Sequence, residues 1–163
     1  MDSIELIKKL IKKKSVKTQR NLRVGDVIIY QYNPKDKRNT YDRTPLVMVL
    51  RKSKSYMLGL NLHWCPIPMR MILIKFLLKI NKKNIKQNNQ FEINYTRVKP
   101  LLYKLGFHPV IRLYIRNRMS DKMVIIPHQH MLEVIKTKSE TFTGGISAER
   151  MYMKAVKDSR KRK

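Results

Sequence analysis

The sequence predicts an α+β domain: a small SH3-like β-barrel or curved antiparallel sheet with packed helices and basic terminal extensions. Three observations predict it. Short runs rich in β-branched and aromatic residues cluster between 27 and 64. The pattern then changes to a longer apolar run over 66–80, too long for a strand and suited to a helix. Both ends of the chain are dense in lysine and arginine.

Each element has its own justification. In 3–14, Ile4, Ile7 and Ile11 recur at helical spacing beside Leu6 and Leu10, and Lys8, Lys9, Lys12 and Lys13 fall largely on the other face. Asp2 and Glu5 have the spacing of a capping box. Gly25–Asp26 open a first strand, 27–32, and a long polar connection with Pro34 and Pro45 follows. A second strand covers 46–53 and a third 56–64. In the third, Leu58, Leu60, Leu62 and Trp64 share one face, and Asn61 and His63 the other. The run 66–80 is apolar on nearly every side, which predicts a buried helix with proline near its start. An Asn/Gln-rich surface loop follows over 81–96, with a short strand at 91–96. A helical turn over 98–107 ends at Gly106. Residues 109–119 read as a helix on which Arg112 and Arg116 share a face. A strand at 122–127, a helix or turn at 129–135, the break Gly144–Gly145 and a last helix from Ser147 to about Asp158 complete the chain. These elements divide it into a basic N-terminal helix or arm (1–23), an α+β core (24–140) and a C-terminal helix with a basic tail (141–163).

The charge balance narrows the partners. There are 37 Lys+Arg against 11 Asp+Glu, a net of +26. A compact particle so charged repels itself unless a polyanion neutralises it, and nucleic acid is the expected one. The residues expected to meet phosphate are Lys8, Lys12, Lys13, Lys14, Arg70, Arg112, Arg116, Arg118, Lys157, Arg160, Lys161, Arg162 and Lys163. No base-reading motif is visible, so contact with DNA should be non-specific. For the N-terminal stretch, a solvated helix face, a phosphate-contacting arm and a membrane-surface helix all fit the pattern. A membrane span is not expected, because Arg70, Lys75 and Lys79 interrupt the longest apolar run. The single cysteine allows no internal disulfide.

The stretch His63-Trp64-Cys65 poses the main chemical question. With His128 and His130, His63 and Cys65 would make four metal ligands, but neither pair has zinc-site spacing and no carboxylate cluster joins them. Cys65 as a nucleophile lacks a third, orienting group. Phosphate-loop and dinucleotide glycine patterns are absent. The expectation is a packed corner without catalytic, cofactor or metal residues. Leu60, Leu62 and Trp64 enter the core, Asn61 and His63 make polar contacts, and Pro66 and Pro68 turn the chain into the next helix.

Two resemblances add to this. Gly25, Asp26, Pro34, Arg43 and Pro45 lie as in the opening of the MazF/PemK-type toxin ribonucleases, although Thr44 separates Arg43 from Pro45. That implies an SH3-like barrel and, as an alternative function, ribonuclease activity. More of the chain is similar to a family of tailed-phage virion proteins known as DNA end protectors. Tyr41, Asp42, Pro45, Leu46, Val47, Gly59, Leu60, Asn61, Leu62, His63, Trp64, Pro66 and Arg70 match its pattern, as do "RLYIRNRM" and the C-terminal "AERMYMKAVKDSRKRK". Cys65 stands where that pattern has leucine, an exchange that suits a buried position. The resemblance implies a non-enzymatic virion protein at the head–tail junction or genome end. Its partners would be DNA and other virion proteins, in multiple copies, with no small-molecule substrate and no cofactor. A tail or baseplate protein docking on acidic neighbours is the other alternative. The basic ends, 8–23 and 154–163, would act as arms.

Overall fold

Alternation along the central strands decides the architecture. In the computed structural model, β2 (Val27–Ile29) and β3 (Leu46–Lys52) are buried on both faces. Val27, Ile29, Leu46, Met48 and Leu50 join one apolar cluster, whereas Ile28, Tyr30, Val47 and Val49 join a second. The period-two pattern therefore feeds two cores, one on each side of the sheet. The residues described are Glu5, Lys8, Lys9, Lys12, 16–37, 40–83, 91–136, Lys138, Glu140 and 142–161.

With β1 (Val16–Thr18), β4 (Tyr56–Asn61), β5 (Ile111–Ile115) and β6 (Lys122–Ile125), these strands form one six-stranded sheet, in the order β1-β6-β2-β3-β4-β5. Every pairing is antiparallel. The register of β3 on β4 shifts between Val49 and Arg51, a bulge that bends the strand. The second cluster draws Ile28, Val47, Met57, Tyr114 and Met123 from five different strands, so the sheet curls around its own side chains. Among the described residues the sheet is open, with no ladder from β1 to β5. Its two edges are clipped instead by side chains. Gln19, just after β1, and Arg116, just after β5, exchange hydrogen bonds: Gln19 Nε2 donates to the Arg116 carbonyl at 3.1 Å, and Arg116 donates to Gln19 Oε1 and to the Gln19 carbonyl.

The other face is covered by α1 (Ile67–Ile80), α2 (Tyr95–Lys104), α3 (His128–Lys136) and α4 (Ala148–Lys161). Pro66 occupies the N-cap of α1 and Pro68 lies in its first turn, where a missing N–H is harmless. Its buried stripe is Arg70, Leu73, Ile74 and Leu77, a helical face, while Ile72 and Ile80 are exposed. The helix is thus buried on one side and not all round. Asn94 caps α2 by accepting from the Arg97 N–H, and Gly106, at φ +82°, takes the left-handed position beyond its end. Ser147 Oγ accepts from the Arg150 N–H and caps α4. No helix among the described residues is long and apolar enough to cross a membrane.

Four elements differ from the expectation. Residues 109–119 are a strand, β5, between short 3-10 turns at His108–Val110 and Arg116–Arg118. Ile111, Leu113 and Ile115 alternate with Arg112, Tyr114 and Arg116, and pairing with β4 selects that period over the helical one. Arg112 and Arg116 consequently share no helix face. Residues 91–94 form no strand: Phe91 and Ile93 are buried in the larger cluster, and Tyr95 already begins α2. The first strand ends at Ile29, and only Tyr32, in an isolated bridge to Met119, continues its pairing. The third ends at Asn61, and Leu62–Trp64 close into a 3-10 turn capped by the Asn61 side chain, which accepts from the His63 N–H at 2.9 Å. At the N-terminus Glu5, Lys8, Lys9 and Lys12 are helical and exposed, and the remainder of the helix expected over 3–14 lies outside the described residues. β1 and the buried Leu22 fall within the stretch 1–23 assigned to an arm, so the sheet begins before residue 24.

Candidate nucleic-acid interface

The corner at His63-Trp64-Cys65 is packed on every side. Asp42 Oδ2 lies 2.7 Å from His63 Nδ1 and 3.4 Å from Asn61 Nδ2, and Asp42 Oδ1 accepts from the Thr44 N–H. Asn61 Nδ2 also donates to the Tyr114 hydroxyl at 2.9 Å. All four side chains are buried. Burial, and next the Asp42 carboxylate, push the Tyr114 phenol well above its ordinary value. Trp64 packs edge-on against Phe142, with its ring 4.2 Å from the Arg112 guanidinium carbon. Burial pushes the Cys65 thiol up to about 12, against a smaller lowering by Arg70. A thiol so protonated is a poor nucleophile or ligand. The cluster therefore pins the loop after β2 to the end of β4.

That pinning builds a groove above it. Tyr32 donates its N–H to the Arg43 carbonyl and Asn33 donates its own to the Arg118 carbonyl, each at 3.0 Å. The two arginines thus flank one short piece of backbone, with their side chains exposed. The resulting hollow is about 570 Å³ and is lined by Gln31, Tyr32, Asn33, Tyr41, Arg43, Thr44, Asn117, Arg118, Met119 and Ser120, none of them acidic. Neither arginine pairs with a carboxylate among the described residues. The Tyr32 ring is fixed by edge-on contacts with Tyr30 and Tyr114, at 6.4 and 5.1 Å between centroids. A smaller cleft of about 200 Å³ shares Tyr32 and Tyr41 with it and is lined also by Trp64, Arg112 and the carboxylates Asp36 and Asp42. A third hollow, about 520 Å³, is lined by Arg20, Asn21, Leu22, Arg23 and Lys52.

The second basic feature is α4. Ala148, Met151 and Ala155 bury one face of it, and the Tyr152 hydroxyl donates to the Gly106 carbonyl at 3.0 Å. Arg150, Lys154, Lys157 and Lys161 are exposed on another face at spacings that keep them in one row, about 16 Å long at ~1.5 Å per residue. Arg160 is exposed beside them.

The basic residues expected at phosphate therefore separate. Arg118, Lys157, Arg160, Lys161, Lys8 and Lys12 are exposed. Lys13, Lys14, Arg162 and Lys163 lie outside the described residues. Arg70 is a correction: it is 0% exposed, donates from Nε to the Cys65 carbonyl at 2.7 Å and pairs with Glu140 through Nη2. It cannot reach a ligand outside the fold. Arg116 is half-buried, and its guanidinium is spent on Ser53, at 2.8 Å, and Gln19. Arg112 is half-buried against Trp64. Tyr41 and Arg43 entered the sequence reading only through the two resemblances, not as residues expected at phosphate, and Tyr32 was read only as part of the first strand. His130 faces Glu133 at 3.8 Å while His63 is turned onto Asp42, and no group of three or more metal-ligating side chains occurs among the described residues. Gly25 and Asp26 form a turn in which the Asp26 carboxylate accepts from the Arg23 N–H at 2.8 Å.

No curated protein and no solved structure matches the chain. A family model described as phage T4 terminal DNA protecting protein matches residues 3–155, nearly the whole length. That span takes in the sheet, the pinned corner, the groove and most of α4, and on it the chain belongs to the phage T4 terminal DNA protecting protein family.

Proposed function

We propose that this chain is a non-enzymatic structural protein of a phage particle that sits at the end of the packaged genome, near the head–tail junction, and holds DNA through phosphate contacts. The family carries the genome-end part of this proposal. The exposed row Arg150, Lys154, Lys157 and Lys161 on a firmly docked helix carries the phosphate part, because it offers regularly spaced cations with no base-reading element. The net charge of +26 supplies the long-range attraction. Other virion proteins would surround it, in multiple copies, after assembly in the host cytoplasm. Exposed Leu113 and Ile115 on the edge strand β5 favour a second role, docking on a protein neighbour in the tail.

The test has two parts. Linear duplex DNA incubated with the protein should resist a double-strand exonuclease. If about six phosphates are neutralised, affinity should fall on the order of a thousand-fold between 50 and 200 mM salt. Unprotected ends, or affinity indifferent to salt, would refute the proposal.

A further inference from the structure

The geometry points to the groove between Arg43 and Arg118 as the seat of the terminal nucleotide of a DNA end, the phosphate taken by the two arginines and the base laid against Tyr32 or Tyr41. This inference rests on the end-protecting role proposed above and gives it a site. An interior nucleotide of duplex DNA is stacked on both sides and its phosphate is a diester. A terminal nucleotide has one open face, unpairs at little cost and can carry a doubly charged phosphate. A site that selects an end must therefore offer an aromatic surface and cations together in a hollow too small for a duplex.

The groove meets each requirement. Its volume of about 570 Å³ accommodates one nucleotide. Two tyrosines line it, and base–aromatic stacking tolerates any base. Tyr32 is already held edge-on by Tyr30 and Tyr114, so stacking would order little that is not ordered. The arginines stand on either side of the Tyr32–Asn33 backbone through their own carbonyls, which leaves both guanidinium forks for the ligand. Asn33, Asn117 and Ser120 line the hollow with hydrogen-bonding groups, and no carboxylate among the lining residues opposes an anion. The α4 row differs in kind: its cations stand along one exposed helix face and would meet the duplex side-on.

The experiment compares two labelled DNAs of equal duplex length: a hairpin with one open, 5′-phosphorylated end, and a dumbbell closed at both ends. The wild-type protein should bind the hairpin about tenfold more tightly, the scale that charge-assisted contacts at one phosphate supply. Arg43→Gln with Arg118→Gln should abolish that preference while leaving dumbbell affinity within a few-fold. Both positions are exposed, so the fold survives, as an unchanged melting curve would verify. Lys157→Gln with Lys161→Gln removes the same charge elsewhere; it should weaken both DNAs alike and keep the preference. A groove variant that retains the full preference would overturn the assignment and leave the groove to a protein neighbour. A wild-type protein that binds hairpin and dumbbell equally would overturn the end-binding role itself, and the groove's nucleotide with it.

Discussion

Replacing Arg70 separates a cation that serves the fold from one that serves a ligand. Arg70 lies inside α1 with no exposed surface. Its Nε donates to the Cys65 carbonyl at 2.7 Å, Nη1 reaches the Ile135 carbonyl at 3.5 Å, and Nη2 pairs with Glu140. One fork thus joins the strand-to-helix corner, the end of α3 and the segment before α4. Arg70→Met keeps much of the volume and removes every polar bond. A buried carbonyl left without a donor costs about 1–3 kcal/mol, and breaking a buried ion pair by deleting one partner costs about 3–5 kcal/mol in total. The Glu140 side chain, 13% exposed, can turn partly to water, which favours the lower part of that range. For a chain of this length, a loss of about 3 kcal/mol lowers the melting temperature by roughly 6–12 °C. Arg70→Lys should recover little of it, because an ammonium cannot serve three separated acceptors. The assay is urea unfolding of both variants beside wild type, with DNA affinity measured where each is fully folded. Affinity should be unchanged. A stability loss under 1 kcal/mol together with weakened DNA binding would show that Arg70 reaches the ligand, and the buried-fork account would fail.

Other perturbations test other parts of the fold. Gly59→Ala would bring a Cβ to 2.1 Å from Val47 Cγ1, so it should cost about 1–3 kcal/mol in thermal melting, and Val47→Ala in the same chain should recover part of it. Cys65, buried and with its thiol pushed up to about 12, should resist iodoacetamide at pH 8 in the native protein and react promptly in urea; equal rates would refute its burial. Tyr30 and Tyr114 are both raised by burial, so the folded state keeps protons that the unfolded state releases above about pH 10. Stability should be full below that pH and then fall by about 1.4 kcal/mol per pH unit for each tyrosine until the folded-state value is reached, as urea unfolding at pH 9 and 11 would reveal. Trp64→Ala, which removes the indole from between Phe142 and Arg112, should cost about 3–5 kcal/mol.

What could be read from residues alone followed the physics of each signal. The strands at 46–52 and 56–61 announce themselves because a short, nearly unbroken run of apolar and β-branched residues suits a strand buried on both faces. Pro66, Gly106 and Ser147 punctuate helices by backbone chemistry that acts locally, so those boundaries were legible. The packed corner was legible as well, since an indole and a lone thiol ahead of a proline turn are more easily buried than used. Residues 109–119 misled because a short mixture of apolar and basic side chains fits both periods, and the deciding fact is the bare edge of β4, far away in sequence. Arg70 misled for a related reason: charge is visible in a sequence, but the carboxylate that permits its burial, Glu140, is not visibly its partner. The groove was invisible because its two arginines come from loops that meet only once the sheet has curled.

The join between β4 and β5 has a consequence for how the molecule assembles. Antiparallel neighbours are commonly linked by a tight hairpin, yet here Leu60 pairs with Ile111 and the whole of α1 and α2 lies between them. Closing a long loop adds little to the free energy, about 0.6 kcal/mol per doubling, but distant pairings form slowly. The meander of β2, β3 and β4 is contiguous and should form early, with β5 arriving as a separate strand after the helices have docked. In the interval β4 presents an unpaired edge carrying Met57, Leu58 and Leu60, open to the same edge of another nascent copy. Refolding at high concentration should therefore trap strand-exchanged dimers that dilute refolding avoids, and the yield of monomer would report how quickly β5 reaches its place.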